Sequence, residues 1–251
     1  MRLLPALLLT LLAATSCGDD SSSDDNGDAQ EADTVNFAVT FTNVTAPGAL
    51  TPDGADAVDL TFAPGVWVVH TDAVRLFTAG TPATGTPIEA LAEEGRNQPM
   101  LDALDALGDA GIIKAAPFAT LSMDNYAEDP IAPGESVTMV FSAPVGARLS
   151  MASMFIQSND IFIGSPDGGI PLFTEAGEPA VGDASASMRL WDAGTEVNQE
   201  PGVGPDQAPR QSEAGQGPPE DGVITVIDGA DAAGFTYPAP TDLVQVTIAV
   251  R

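Results

Sequence analysis

The apolar residues of this chain arrive in short runs, and nearly every run is cut by Gly, Pro, Asp or Asn. "VNFAVTFTNV" (35–44) alternates Phe37, Val39 and Phe41 with more polar neighbours, the period of a strand with one face in a core. "AVDLTFAPGVWVVH" (57–70) holds two apolar runs broken at Pro64-Gly65, and "ESVTMVFSA" (135–143) follows the turn signal Ala132-Pro133-Gly134. "ARLSMASMFIQ", "DIFIGS", "ASMRLW", "GVITVID" and "LVQVTIAVR" continue the series. Many short strands punctuated in this way predict an all-β fold, an antiparallel β-sandwich.

Helix is predicted in one place. "TPIEALAEEG" sets Thr86 as N-cap, Pro87 at the first helical position and Glu89 three residues after the cap, a capping box, with Gly95 as the stop. "QPMLDALDALG" (98–108) then puts Met100, Leu101, Leu104 and Leu107 on one face ahead of Gly108. The pair is expected to form a small helical insertion over an edge or end of the sandwich. Its apolar stripe should face the chain's own core rather than a partner.

Residues 1–16, "MRLLPALLLTLLAATS", place Arg2 before an apolar run that ends in small residues, the pattern of an export signal. That run, Leu3 to Ala14, is short of the roughly 20 residues that cross a bilayer. Cys17, the chain's one cysteine, follows Ala14-Thr15-Ser16 and resembles the lipobox of bacterial lipoproteins. The resemblance implies cleavage before Cys17 and lipidation on it; plain secretion with a free thiol is the alternative. With one cysteine no internal disulfide can form, so stability must come from burial or from a metal. The acidic stretch that follows holds no large apolar residue and reads as a disordered tether over 17–34. The remainder, 35–251, is long enough for one domain and does not demand two.

Charge and inventory narrow the chemistry. Thirty-six Asp and Glu against eight Lys and Arg give a formal net charge of −28, which repels phosphate backbones and anionic head groups. Nucleic acid is therefore not an expected partner, membrane contact is expected only through the lipid anchor, and cations are the expected small partners. One histidine, His70, and one cysteine cannot assemble a His/Cys zinc site. No G-x-S-x-G elbow accompanies His70, and a histidine at a strand end is expected to satisfy a local hydrogen bond. Paired carboxylates working as general acid and base stay open. Calcium suits the composition better, because it takes about six to eight oxygens from carboxylates, carbonyls and water.

Two acidic turns can supply such oxygens. In "MRLWDAGTEVNQEPG" (188–202) Asp192 ends a strand-like run, and Gly194 is free to bend the chain so that Glu196 faces the same space. In "QSNDIFIGSPDGG" (157–169) Asp160 meets the strand "IFIG", while Asp167 sits in a Pro-Asp-Gly turn and is expected to serve that turn alone. Carboxylates held close repel one another unless a cation or a shared proton relieves them. Spacing by itself leaves an ordinary acidic turn open beside a metal site, since no EF-hand loop is present. The patternless stretch 197–222 leaves directly from the second turn, and loops beyond about 12–15 residues are usually functional or disordered.

At these residues the chain resembles the spondin N-terminal domain family, found in F-spondin and in stand-alone bacterial secreted proteins. One family anchor, near S-P-D-W-x-V-G, is matched by Ser158-Asn159-Asp160-Ile161-Phe162-Ile163-Gly164, and the other, W-D-A-G-T-D-S-G, by Trp191-Asp192-Ala193-Gly194-Thr195-Glu196. The resemblance spans about 35–251 and is strongest over 147–198. It implies a C2-like β-sandwich that binds calcium through Asp160, Asp192 and Glu196. Ile161 stands where the family has tryptophan, and Glu196, one methylene longer and able to bind bidentately, where it has aspartate. Trp191 is expected to pack in the core beside the site.

The expected function is that of an exported, lipid-anchored calcium module for adhesion or interaction at the cell envelope, with an extracellular protein or glycan as ligand. It is not expected to be an enzyme. A secreted hydrolase using paired carboxylates or a calcium-assisted water is one alternative, and a metal-free structural envelope protein is another.

Overall fold

Alternation builds the first strand. In β1 (Thr34–Asn43) Phe37, Val39, Phe41 and Asn43 are buried while their neighbours keep part of their surface. The chain continues through β2 (Val66–His70), α1 (Pro87–Glu94), α2 (Gln98–Ala106), β3 (Ile112–Pro117), β4 (Thr120–Ser122), β5 (Asn125–Ala127) and β6 (Ser136–Pro144). Then come β7 (Arg148–Met154), β8 (Ile161–Gly164), β9 (Ile170–Pro171), β10 (Gly182–Asp183), β11 (Arg189–Asp192), β12 (Thr225–Ile227), α3 (Pro240–Leu243) and β13 (Val244–Val250). The computed structural model describes residues 34–71, 74–108, 110–118, 120–122, 125–127 and 129–251. The segments expected to be an export signal (1–16) and a tether (17–34), and Cys17 with its expected lipidation, lie outside these residues, except that Thr34 already opens β1. No helix among the described residues is long and apolar enough to cross a membrane.

The strands form an all-β antiparallel sandwich. One sheet runs β10-β13-β1-β6; the other runs β12-β11-β8-β7-β2-β3, with β9 beside β7, and β4 pairs with β5 alone. In the first sheet, β6 and β13 alternate buried and exposed positions, so one face meets the core and the other meets water. Phe37, Phe41 and Phe141 of that face pack in one apolar cluster with Trp67, Leu149, Met151, Ile161, Ile163 and Leu190 of the second sheet. Aromatic rings bridge the layers: Trp67 and Phe141 lie 5.5 Å apart between centroids.

The second sheet behaves differently because it is covered twice. Its strands β2 and β8 are buried at every position. The residues that face away from the sandwich core, Val66, Val68, Ala152, Phe162 and Trp191, pack against Ile88, Leu91, Met100 and Leu104 of the helices. This corrects the expected placement: α1 and α2 lie on the outer face of the second sheet, not over an edge or end. It also explains why "VWVVH" and "IFIG" read as continuous apolar runs, as strands with two buried faces do. Leu107, expected on the packed stripe, lies beyond the end of α2 and is 49% exposed.

Local signals succeed and fail for physical reasons. Gly95 takes φ 65° and ends α1, with its N–H on Leu91 O and the N–H of Arg96 on Ala90 O, closing the last turn. The capping box is not formed. Thr86 Oγ1 donates back to Ala83 O at 2.6 Å, and the Glu89 carboxylate accepts from Gly85 N at 2.7 Å instead of from Thr86 N. Of the two runs in 57–70 only the second is a strand. Phe62 makes single bridges to Ile131 and Phe155, and the chain then passes so near β7 that a Cβ on Gly65 would lie 2.1 Å from Ala152 O.

His70 is fully buried and occupied on both ring nitrogens. Thr71 O can only accept, so Nδ1 donates to it and Nε2 accepts from Ser150 Oγ at 2.8 Å, as expected of a strand-end histidine.

Because Leu91 is wholly buried between α1 and the sheet, Leu91→Ala should cost about 2–5 kcal/mol of folding stability. Denaturant unfolding checks this. A change near zero would show that the stripe is free for a partner.

Candidate metal centre

Strand pairing brings the two acidic turns together. β8 and β11 run antiparallel with Asp192 opposite Ile161, so Asp160, just ahead of β8, and Asp192, the last residue of β11, stand at the same end of the sheet. Ala193 N donates to Asp160 O at 3.2 Å, continuing the ladder past the strand ends. The chain then turns at Gly194, which holds φ 68°. A Cβ there would come within 2.8 Å of Val223 N, so both the conformation and the close approach require glycine.

That turn aims backbone donors at the carboxylates. Asp160 Oδ2 accepts from Thr195 N at 2.7 Å, Thr195 Oγ1 at 3.1 Å and Glu196 N at 3.1 Å. Asp192 Oδ1 accepts from Gly194 N at 2.8 Å, and its Oδ2 from Asn198 Nδ2 at 2.7 Å. Asp160 is 0% exposed and Asp192 6%. Yet Asp160 Oδ1 has no partner, and neither has Asn198 Oδ1; among the described residues these are the two buried side-chain oxygens left without one. An unsatisfied buried acceptor costs about 1–3 kcal/mol, so each calls for an explanation.

Glu196 takes another direction. Its side chain is also buried, but Oε1 accepts from Gly217 N at 2.9 Å and Oε2 from Asn159 Nδ2 at 3.3 Å. Among the described residues no three His, Cys, Asp or Glu side chains stand together as a metal-binding group. The structure thus places Asp160 and Asp192 side by side and turns the carboxylate of Glu196 toward the 197–222 loop. Asp167, expected to serve its turn alone, instead accepts from Ala79 N of a separate segment at 3.4 Å.

The electrostatics are those of buried acids without a cation. No described Lys, Arg or His forms a salt bridge with Asp160, Asp192 or Glu196. Burial, then repulsion from Asp192, pushes the Asp160 carboxyl up to about 7 against the opposing hydrogen bonds from Glu196 and Thr195. Asp192 is raised by burial and by Asp231, with Gly194 and Asn198 opposing. Glu196 is raised by burial, with further repulsion from Asp206 and Glu94. Glu93, on α1, is raised to about 7 by burial and by Glu196, Glu89 and Glu94, with the nearby Thr195 side chain opposing.

Around the site, Tyr237 OH donates to Asp231 at 2.9 Å, and burial with that neighbour holds the phenol well above its usual range. Trp191, 7% exposed, donates from Nε1 to Ser165 O at 3.2 Å and packs against Phe77 and Phe162, as expected of a core residue beside the site. Asn159, Asn198 and Glu93 escape a reading of the sequence. The sole clue to Asn198 is its position two residues after Glu196 in "TEVN".

No family model matches this chain, and no curated protein sequence matches it.

A sign follows from Asp160 and Glu93. Both hold protons up to about pH 7 in the folded chain, whereas unfolded carboxyls hold them only to about pH 4. The folded state therefore binds more protons between those limits, and stability present at pH 4 is lost as pH rises toward 7. In chelator-treated buffer, calorimetry should give a Tm several degrees higher at pH 5 than at pH 7.5.

Proposed function

We propose that this chain is an exported, lipid-anchored calcium-binding β-sandwich of the spondin N-terminal type, serving adhesion or interaction at the cell envelope. The observation that carries the reading is the buried Oδ1 of Asp160, without a partner among the described residues and set beside Asp192 where no described cationic side chain forms a salt bridge with either acid. A hard divalent cation supplies what the site lacks: positive charge for two carboxylates and a partner for an oxygen that no donor reaches. Asp160 and Asp192 would hold it.

The resemblance gains support from topology. Its two anchors, far apart in sequence, are the segments that pair as β8 and β11 and carry the two acids to one end of the sheet. A binding role accords with the burial better than hydrolysis does. At 0% and 6% exposure neither carboxylate offers a substrate the contact that general acid and base chemistry needs. With no electron transfer or bond cleavage to perform, the ion would act by drawing loops together at one end of the sandwich.

Extracellular calcium modules work at Kd of about 10⁻⁴–10⁻³ M, so ~10 mM calcium should raise Tm by several degrees over chelator. Calorimetric titration should show binding that Asp192→Ala abolishes. An unchanged Tm in the wild type would overturn the reading.

Asp160→Asn separates folding from binding. An amide can keep accepting from Thr195 and Glu196 while removing the buried charge and its repulsion with Asp192. In chelator at pH 7.5 this variant should melt no lower than the wild type, and calcium should no longer shift it.

A further inference from the structure

Asn198 is the second residue of the long 197–222 segment, and its amide has a forced orientation. A carboxylate oxygen can only accept, so the amide nitrogen must face Asp192 Oδ2, as it does at 2.7 Å. Oδ1 is thereby turned to the other side of the amide, where it finds no partner although Asn198 is only 8% exposed. Asp160 Oδ1 is in the same condition, and Asp160 lies near enough to Asp192 to be repelled by it. With Asp160 charged, as it is above about pH 7, both orphan atoms are acceptors, so neither can satisfy the other. Among the described residues no cationic side chain forms a salt bridge with Asp160 or Asp192.

Glu196 cannot supply a third oxygen from its observed position. Its carboxylate is held by Gly217 and Asn159, neither Asp160 nor Asp192 is among the acids that raise it, and it packs so closely on Gly217 that a Cβ there would lie 2.1 Å from Oε2. It fastens the far end of the long segment instead, beside the backbone bonds Val197 N to Pro218 O and Glu220 N to Thr195 O, each 2.8 Å. Amide oxygens are ordinary calcium ligands. A neutral one adds an oxygen without adding a third buried charge to two acids that already repel, and two carboxylates balance one divalent ion.

We propose that Asn198, not Glu196, is the third side-chain ligand of the cation site, so that the bound ion ties down the near end of the 197–222 segment; this rests on the calcium reading above. The near end is then held by the ion and the far end by the Glu196 carboxylate. Cation binding therefore has a mechanical consequence for the segment, whose exposed Arg210 gives a protease a place to cut.

The test titrates calcium chloride into the metal-free full chain and follows tryptic cleavage after Arg210 with and without calcium. Asn198→Ala should bind calcium at least about tenfold more weakly, while Glu196→Gln should stay within about threefold of the wild type. Calcium should slow cleavage in the wild type and not in Asn198→Ala. Asn198→Asp keeps the oxygen but gives up the donor to Asp192, so it should melt lower in chelator and yet bind calcium at least as tightly. A residue with a merely structural role would not produce that opposition. If the wild type binds calcium and Asn198→Ala binds it equally well, or if Glu196→Gln loses affinity as Asn198→Ala should, the assignment of Asn198 is overturned while the calcium reading stands. If the wild type binds no calcium, both fall.

Discussion

Antiparallel pairing of β8 with β11 is the contact on which the rest of the molecule depends. In its register Leu190 lies opposite Ile163 and Trp191 opposite Phe162. Leu190 and Ile163 enter the core between the sheets, whereas Trp191 and Phe162 enter the layer beneath the helices. A slip of one residue would exchange the two sets, driving the large rings into the space built for the aliphatic side chains. Because both faces are buried, no slipped register is tolerated, and Asp160 and Asp192 are fixed as neighbours by packing on strands that they themselves do little to hold.

The helices matter to the site for the same reason. α1 and α2 close the outer face of the second sheet, and Glu93 of α1 reaches the turn that carries Thr195 and Glu196. The site is therefore lined from three directions: the strand ends, the α1 helix and the 197–222 segment. Its acids are held mainly by peptide N–H groups and amides, with Gly194, Thr195, Glu196 and Gly217 donating from the backbone. Such dipoles orient a carboxylate but carry no net charge, so they leave the repulsion between Asp160 and Asp192 in place. A chain with eight Lys and Arg has few cationic side chains to set against acids in its interior, and among the described residues none forms a salt bridge with Asp160 or Asp192.

Much of this was readable in advance where the signal is local. The alternation of Phe37, Val39 and Phe41 marked a half-buried strand, and Gly95 and Gly194 marked a helix stop and a tight bend. Less was readable where a residue chooses among partners. Thr86 and Glu89 have the spacing of a capping box, but Ala83 O and Gly85 N took the bonds. Leu107 has the right period for the packed stripe, yet the helix ends before the stripe reaches it. The two short helices could cover an edge, an end or a face, since an amphipathic stripe states only that something apolar is opposite.

The sequence by itself determined an antiparallel β class, the bend after Asp192 and the wealth of carboxylates, because strand period, glycine conformation and charge are properties of residues in order. Only the tertiary structure decided which acids meet. Asp160 and Asp192 are joined by a pairing across some thirty residues, whereas Glu196, four residues from Asp192, is drawn off by Asn159 and Gly217. The direction of a side chain beyond a turn is set by the donors that the fold brings within reach, and those donors come from parts of the chain that nearness in sequence does not reveal.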